Sequence, residues 1–173
     1  VLAGSAGDDE RALALVRRAA SVGKAPVTAP WRSGVCVSGD GVEPPAVLRA
    51  LLIQLCLRVP PTMLRVVGEL PSGWEWVETL PHRRSRAAGA VRLALRVGQP
   101  ATTESDVVFA LAGSSDPVDP RAVTVVRVTG DRTIVSVAGD AAGEHKLSSV
   151  EALSLSQAKV IARSLVVRSE SLY

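Results

Sequence analysis

The chain has 173 residues, of which 47% are hydrophobic, and it carries a formal net charge of +3. This length suits one domain with its own core, and this hydrophobic content excludes general disorder. No apolar run approaches the roughly 18 residues that a membrane-spanning helix needs, and no signal peptide is recognisable. Aromatic residues make up only 3% of the chain, so we predict a core made mainly of aliphatic side chains.

The cysteines and the basic residues give two further expectations. Cys36 and Cys56 each lie in a short apolar run, which predicts buried free thiols rather than a disulfide framework. A reducing compartment fits this pattern, and we expect a cytoplasmic domain. Nearly all basic residues are arginine, a bias typical of a GC-rich genome.

The first 29 residues are predicted to form a helix and a linker. Asp8 and Asp9 resemble a helix start, and apolar residues follow at helical spacing until Gly23 and Pro26 end the pattern. This helix could pack on the domain or form the end of a helical stalk. We assign residues 30–173 to a second unit, to which Trp31 is expected to anchor the linker.

A strand, a helix and a second strand follow in order. Residues 35–37 predict a buried strand, and residues 46–59 predict a helix that is apolar nearly all round. Residues 63–67 predict the next strand. A strand–helix–strand unit implies a parallel pair of strands covered by the helix.

The second half of the chain is richer in strands. Residues 91–97 alternate apolar and polar, which predicts a half-exposed strand, and residues 106–111 predict another. The connection between them is too short for a usual crossover helix, so we expect antiparallel neighbours or strands that are not adjacent. Residues 122–129 and 132–137 predict a hairpin around Gly130 and Asp131.

A polar loop over residues 140–144 and a closing helix complete the chain. Ser154 and Gln157 have the spacing of a capping box, and the helix is predicted to end near Arg168. We therefore predict an α/β fold, a Rossmann-like three-layer sandwich. Its mixed, mostly parallel sheet has five or six strands and is accompanied by a β-hairpin and terminal helices.

The most distinctive stretch contains Trp74, Trp76, Pro81 and His82. One interpretation is a short helix whose indoles fill the core, and the other is an exposed binding surface. In an α-helix the two indoles lie roughly 200° apart. We therefore expect one to be buried, with its N–H bonded to a carbonyl, and the other to lie at the domain edge.

Recognisable catalytic chemistry is missing from the sequence. The turn after the first strand has no P-loop lysine, Asp40 and Glu43 would repel a phosphate, and Pro44 and Pro45 lack N–H donors. The histidines and cysteines do not have the spacing of a metal site, and no G-x-S-x-G elbow is present. We therefore expect no catalytic residue, no metal and no cofactor.

Five arginines lie within fourteen residues that contain no acid: Arg83, Arg84, Arg86, Arg92 and Arg96. Such a segment can contact nucleic-acid phosphates or an acidic protein face. It can equally be a solvated basic loop followed by an edge strand that arginine protects from aggregation.

The tryptophan run resembles the W-x-W-x-x-W-L-P-H signature of FtsK/SpoIIIE-family motor ATPases, particularly those of type VII secretion. Thr79 stands where the third tryptophan is usual. The closing segment, residues 154–165, resembles the Ser-x-x-x-Ala-x-x-x-Ala-Arg-x-Leu helix that ends a domain of these proteins. The resemblance covers about residues 30–168.

This resemblance implies a non-catalytic accessory domain that lies upstream of the first ATPase module. The domain would couple a stalk to the motor of a membrane-associated, ATP-binding parent that translocates protein or DNA. Its partners would be other domains of the same motor protein or neighbouring subunits. The contact would involve the Trp74–His82 run or the arginines.

Two alternatives remain open at this point. One is a nucleic-acid-contacting module that uses the Arg-rich surface. The other is a ligand-binding domain at the Gly39–Gly41 turn, where a change of strand direction opens a crevice in open α/β sheets.

Overall fold

A seven-stranded sheet organises the computed structural model, which describes residues 27–98, 104–130, 132–137 and 143–170. The strands are β1 Val35–Ser38, β2 Leu64–Val67, β3 Val91–Val97, β4 Val107–Ala112, β5 Thr124–Thr129, β6 Arg132–Val137 and β7 Glu144–Leu147. Their order is β2-β3-β4-β1-β5-β6-β7. The first five of these are parallel, and β6 is antiparallel to both of its neighbours. The predicted α/β fold with a mixed, mostly parallel sheet is confirmed, although the sheet has seven strands and not the five or six that were predicted.

The helices begin and end where the sequence signals lie. They are α1 Glu43–Arg58, α2 Pro81–Arg84 and α3 Leu155–Glu170, and two 3-10 helices cover Trp31–Ser33 and Glu75–Thr79. Helix α1 has proline in its first turn, where a missing N–H costs nothing. The predicted capping box of α3 forms, since Ser154 N donates to Gln157 Oε1 at 2.9 Å and Gln157 N donates to Ser154 Oγ at 3.2 Å.

Strands β1 and β2 are parallel, but they are not the adjacent pair that the sequence suggested. Strands β4 and β3 lie between them, so that α1 crosses two strands and β1 occupies the centre of the sheet. The length of α1 makes this possible, because sixteen helical residues span about 24 Å.

Strands β3 and β4 are adjacent and parallel, so both arrangements expected from their short connection are wrong. Their register pairs Leu93 with Val107 and Val97 with Leu111. From the end of β3, the chain therefore has to run back along the sheet by only four residues, about 13 Å, to reach the start of β4. Residues 98–106 reach about 30 Å when extended, which is enough to join the strands without a helix.

The predicted hairpin is confirmed, with Thr129 paired to Arg132 across its turn. Gly130 has a φ of 53°, the left-handed conformation that glycine adopts most readily. Beyond the hairpin, Glu144 belongs to β7 and not to a loop as predicted. The predicted N-terminal helix lies outside the described residues, whereas Trp31 packs on the core as expected.

The two faces of the sheet carry separate apolar clusters. The larger cluster contains the apolar core residues of the described helices, together with Val35, Val37 and Phe109 of the sheet. The smaller cluster, on what we call the second face, contains Cys36 and Val108 and is covered by residues 113–123. Strand β3 was predicted to be half-exposed, but its second-face residues Ala94 and Arg96 are buried as well.

Candidate functional site

The tryptophan run begins at a tight turn and continues as a 3-10 helix. Gly73 has a φ of 84°, and its N–H donates to Glu75 Oε1 at 2.9 Å. Val77 N donates to Trp74 O, and Thr79 Oγ1 donates to Trp76 O at 2.7 Å. Leu80 is extended before Pro81, so the 3-10 helix ends there as the sequence predicted.

Both indoles of this run are buried in the larger cluster, with exposed fractions of 3% for Trp74 and 4% for Trp76. Their ring centroids lie 5.9 Å apart. The expectation that one indole lies at the domain edge is therefore wrong. Trp74 precedes the helix, with a φ of −113°, so the angular argument for an α-helix does not apply to this pair.

The hydrogen bond expected for a buried indole is also not formed at Trp76. Its Nε1 is buried and has no hydrogen-bond partner among the described residues. His82 is buried as well, and Pro81 is half-buried. In this arrangement the indoles and the imidazole of the run contribute packing, and they offer little surface to a partner.

Helix α3 packs directly on the tryptophan run and on α1. Ala158 and Ala162 are fully buried in the same cluster as the indoles. Because alanine has the smallest side chain that keeps full helix propensity, two alanines four residues apart let the helix approach closely. The two segments that carry the family resemblance thus form one packed unit.

The outer side of this unit carries an exposed apolar groove, which we call the α3 groove. It is lined by Leu153, Ser156, Gln157, Val160 and Ile161, and its volume is about 310 Å³. Val160 is 62% exposed. The exposed apolar surface near the tryptophan run thus lies on the helix that covers the run and not on the indoles.

His82 is held by one hydrogen bond in an apolar environment. Its Nε2 lies 2.7 Å from Val59 O, so Nε2 carries the proton and donates. Its Nδ1 is buried with no hydrogen-bond partner among the described residues. Burial lowers the pKa of His82 below 6.5, and the bond to Val59 opposes this only in part. His82 is therefore neutral in the folded chain at neutral pH.

We expect the protein to lose stability as the pH falls from 7.5 to 5.5. The unfolded chain binds a proton at His82 near pH 6.5, whereas the folded chain binds one only at a lower pH. Protons in this range therefore favour the unfolded state. The change can be measured as the urea midpoint at each pH. The His82→Gln variant should lose most of this dependence; a variant profile equal to that of the unmodified chain would contradict the assignment.

The five arginines do not form one free basic surface. Arg83 pairs with Glu78 at 3.1 Å and lies on α2, while Arg92 and Arg96 lie on β3. Arg92 pairs with Asp106 at 3.1 Å and with Glu104 at 3.4 Å. Folding thus brings acidic side chains to a segment that contains none in its sequence.

Arg96 forms the most buried of these pairs. Its Nη1 lies 3.1 Å from Asp119 Oδ2, and both side chains are 10% exposed. Asp119 Oδ1 also accepts the backbone N–H of Arg121 at 2.9 Å. The pair ties the segment 113–123 to the second face of the sheet. Arg84 and Arg86 are the exposed members of the five, and two exposed cations give little support to a nucleic-acid surface.

The turn after β1 opens onto a small crevice at the carboxyl ends of β1, β4 and β5. The crevice has a volume of about 220 Å³ and is lined by Ser38, Gly39, Ser114, Asp116, Val118, Arg127 and Thr129. The ligand-binding alternative placed its site at the Gly39–Gly41 turn, but the sequence did not indicate Ser114 or Asp116. Their position in the sequence could have indicated them, because both follow β4, a buried strand that ends at the same sheet edge as β1.

The cysteines are buried thiols, as the sequence predicted. Both are free. Burial raises the pKa of Cys56 to about 12 and raises that of Cys36 as well, so both carry their protons at neutral pH. The described residues hold no group of three or more His, Cys, Asp or Glu side chains placed to bind a metal.

None of the helices in the described part of the chain is long and apolar enough to cross a membrane. No protein-family model matches the sequence, and no curated protein matches it significantly.

Proposed function

We propose that this chain is a non-catalytic accessory domain of an FtsK/SpoIIIE-type translocase motor, in which it links a stalk to the ATPase modules. The observation that carries the proposal is the packed unit formed by the tryptophan run and α3. Both segments resemble the corresponding segments of such motors, and the outer side of the unit presents an apolar groove. The parent would act in protein secretion or DNA translocation.

The chemistry of the described residues favours assembly over catalysis. The thiols and His82 are buried, and three of the five clustered arginines are engaged in ion pairs. The turn after β1 has no lysine to hold a nucleotide phosphate. The α3 groove, by contrast, combines apolar side chains with exposure, which is the usual composition of a contact site.

The occupant we assign to the groove is the first ATPase module of the same motor. In the resembling proteins this module follows the closing helix in sequence, so α3 is the element nearest to it along the chain. Val160 would be the central contact, since it is the most exposed apolar side chain of the groove. Charge placed there would remain unpaired in the interface.

The Val160→Glu variant should weaken association with the adjacent module at least about tenfold. The measurement is calorimetry between this chain and the separately expressed region encoded directly downstream. Because Val160 is exposed, the variant should keep the stability of the parent domain within about 0.5 kcal/mol. Met63→Glu is a matched control, since Met63 is 50% exposed and precedes β2, outside the groove.

Two results would overturn the proposal. One is a downstream sequence without any P-loop, because the expected partner would then not exist. The other is a Val160→Glu variant that binds the module as tightly as the unmodified chain does, because the groove would then not be the contact.

A further inference from the structure

The end of the sheet at which its parallel strands begin carries an exposed surface that the proposed function does not use. It consists of residues 57–63, which end α1 and lead into β2, and residues 84–90, which end α2 and lead into β3. We call it the amino-end surface. Because β2 and β3 are adjacent and parallel, the two segments that precede them lie side by side.

Hydrogen bonds join these two segments in addition to the imidazole bond described above. Ser85 Oγ donates to Pro61 O, and Val91 N donates to Met63 O at 2.9 Å. Each bond holds a backbone carbonyl of the first segment against the second. The two connections therefore form one fixed surface and not two independent loops.

Two large apolar side chains are exposed on this surface. Leu57, in the last turn of α1, is 54% exposed, and Met63, directly before β2, is 50% exposed. A single exposed apolar side chain is ordinary on a protein surface. Two of them on neighbouring segments give the amino-end surface an apolar component.

Three exposed arginines accompany the apolar side chains: Arg58, Arg84 and Arg86. None of them forms an ion pair with a described residue. Neither of the two segments contains an aspartate or a glutamate. The amino-end surface thus combines unneutralised positive charge with exposed apolar side chains, whereas Arg83 and Arg92 nearby are paired with acids.

The size and composition of the surface fit a lipid bilayer better than a protein or a nucleic acid. A stable protein interface takes about 20–30 residues from each partner and is rich in aromatic side chains. The two segments have seven residues each and contain no aromatic residue, so they also lack a platform for stacking bases. A bilayer requires no complementary shape, because cations near its surface and apolar side chains within it contribute separately.

We propose that the amino-end surface binds an anionic lipid bilayer. Arg58, Arg84 and Arg86 would lie at the level of the negatively charged headgroups. Leu57 and Met63 would enter the boundary between the headgroups and the acyl chains. The positive charge selects anionic lipids over neutral ones, and the domain lies on the bilayer without crossing it.

Co-sedimentation of the 173-residue chain with lipid vesicles tests the proposal. One set of vesicles contains equal parts of phosphatidylcholine and phosphatidylglycerol, and the other contains phosphatidylcholine alone. We expect at least about tenfold stronger binding to the anionic vesicles. This binding should weaken as the ionic strength rises, because salt screens the attraction between the arginines and the headgroups.

Removing two of the cations tests the electrostatic part. Arg84→Gln/Arg86→Gln should weaken binding to the anionic vesicles at least about tenfold, since each arginine near such a surface contributes about fivefold. The variant leaves Arg58 in place, whose charge also favours the carboxyl end of α1. Lys159→Gln/Arg163→Gln is the matched control, because it removes two exposed cations from α3. It should change the binding by less than about twofold.

A pair of substitutions with equal charge tests the apolar part. Met63→Glu should weaken vesicle binding at least about tenfold, whereas Val160→Glu should leave it nearly unchanged. Both replace an exposed apolar side chain. The opposite order is expected for association with the adjacent module, so this proposal and the proposed function can fail separately.

Three results would overturn the proposal. The first is equal binding to anionic and neutral vesicles, or no binding to either. The second is vesicle binding that Arg84→Gln/Arg86→Gln and Met63→Glu both retain. The third is binding of duplex DNA in place of the anionic vesicles, which would assign the arginines to nucleic-acid phosphates.

Discussion

Replacing Leu52 by aspartate is expected to leave the domain largely unfolded. Leu52 is fully buried in the larger cluster, on the helix that contacts β1, β4, β5 and α3. A carboxylate at this position has no basic partner, and a buried unpaired charge costs several kcal/mol. Domains of this kind are stable by only about 5–15 kcal/mol, so the loss should be visible directly in the circular dichroism spectrum and in urea melts.

Leu57→Asp is the matched control for this experiment. Leu57 lies on the same helix but is 54% exposed, so the new charge stays in water. Its expected effect is within about 0.5 kcal/mol. If Leu52→Asp melted within a degree or two of the unmodified chain, α1 could not be the buried central helix that the structure describes.

Truncating either indole of the tryptophan run should cost about 3–5 kcal/mol of stability. Trp74 and Trp76 are both buried in the larger cluster, where α3 packs on the tryptophan run. Trp→Ala leaves a large cavity that the surrounding aliphatic side chains fill only in part. Urea denaturation of the two single variants, followed by circular dichroism, gives the two losses.

The two losses should also be coupled. Because the rings are in contact, with centroids 5.9 Å apart, the double variant should lose measurably less or more than the sum of the single losses. Trp31→Ala provides the comparison, since Trp31 is only half-buried and should cost less. A single variant of the pair that lost under about 1 kcal/mol would place its indole at the edge of the domain instead.

Local signals were sufficient for most of the secondary structure. Pro44 and Pro45 marked the start of α1, Pro60 followed its end, and the spacing of Ser154 and Gln157 marked the start of α3. These signals depend on backbone angles and on hydrogen bonds within a few residues, so they can be read without knowing the fold. Strand β7 was missed because Glu144–Leu147 is too short and too polar to show a strand pattern.

The sequence by itself determined the α/β class, the aliphatic core, the buried thiols and the boundaries of α1 and of the hairpin. Only the tertiary structure decided the order of the strands and the parallel pairing of β3 with β4. It also decided the burial of both indoles, the pairing of Arg92 and Arg96 with acids, and the hydrogen bonds that Ser114 donates to Asp40. The physical reason is one of range. Helix caps, turns and periodicity involve neighbours in the chain, whereas ion pairs and crevices join residues such as Asp40 and Ser114 that are 74 positions apart. Their partners become neighbours only when the sheet assembles.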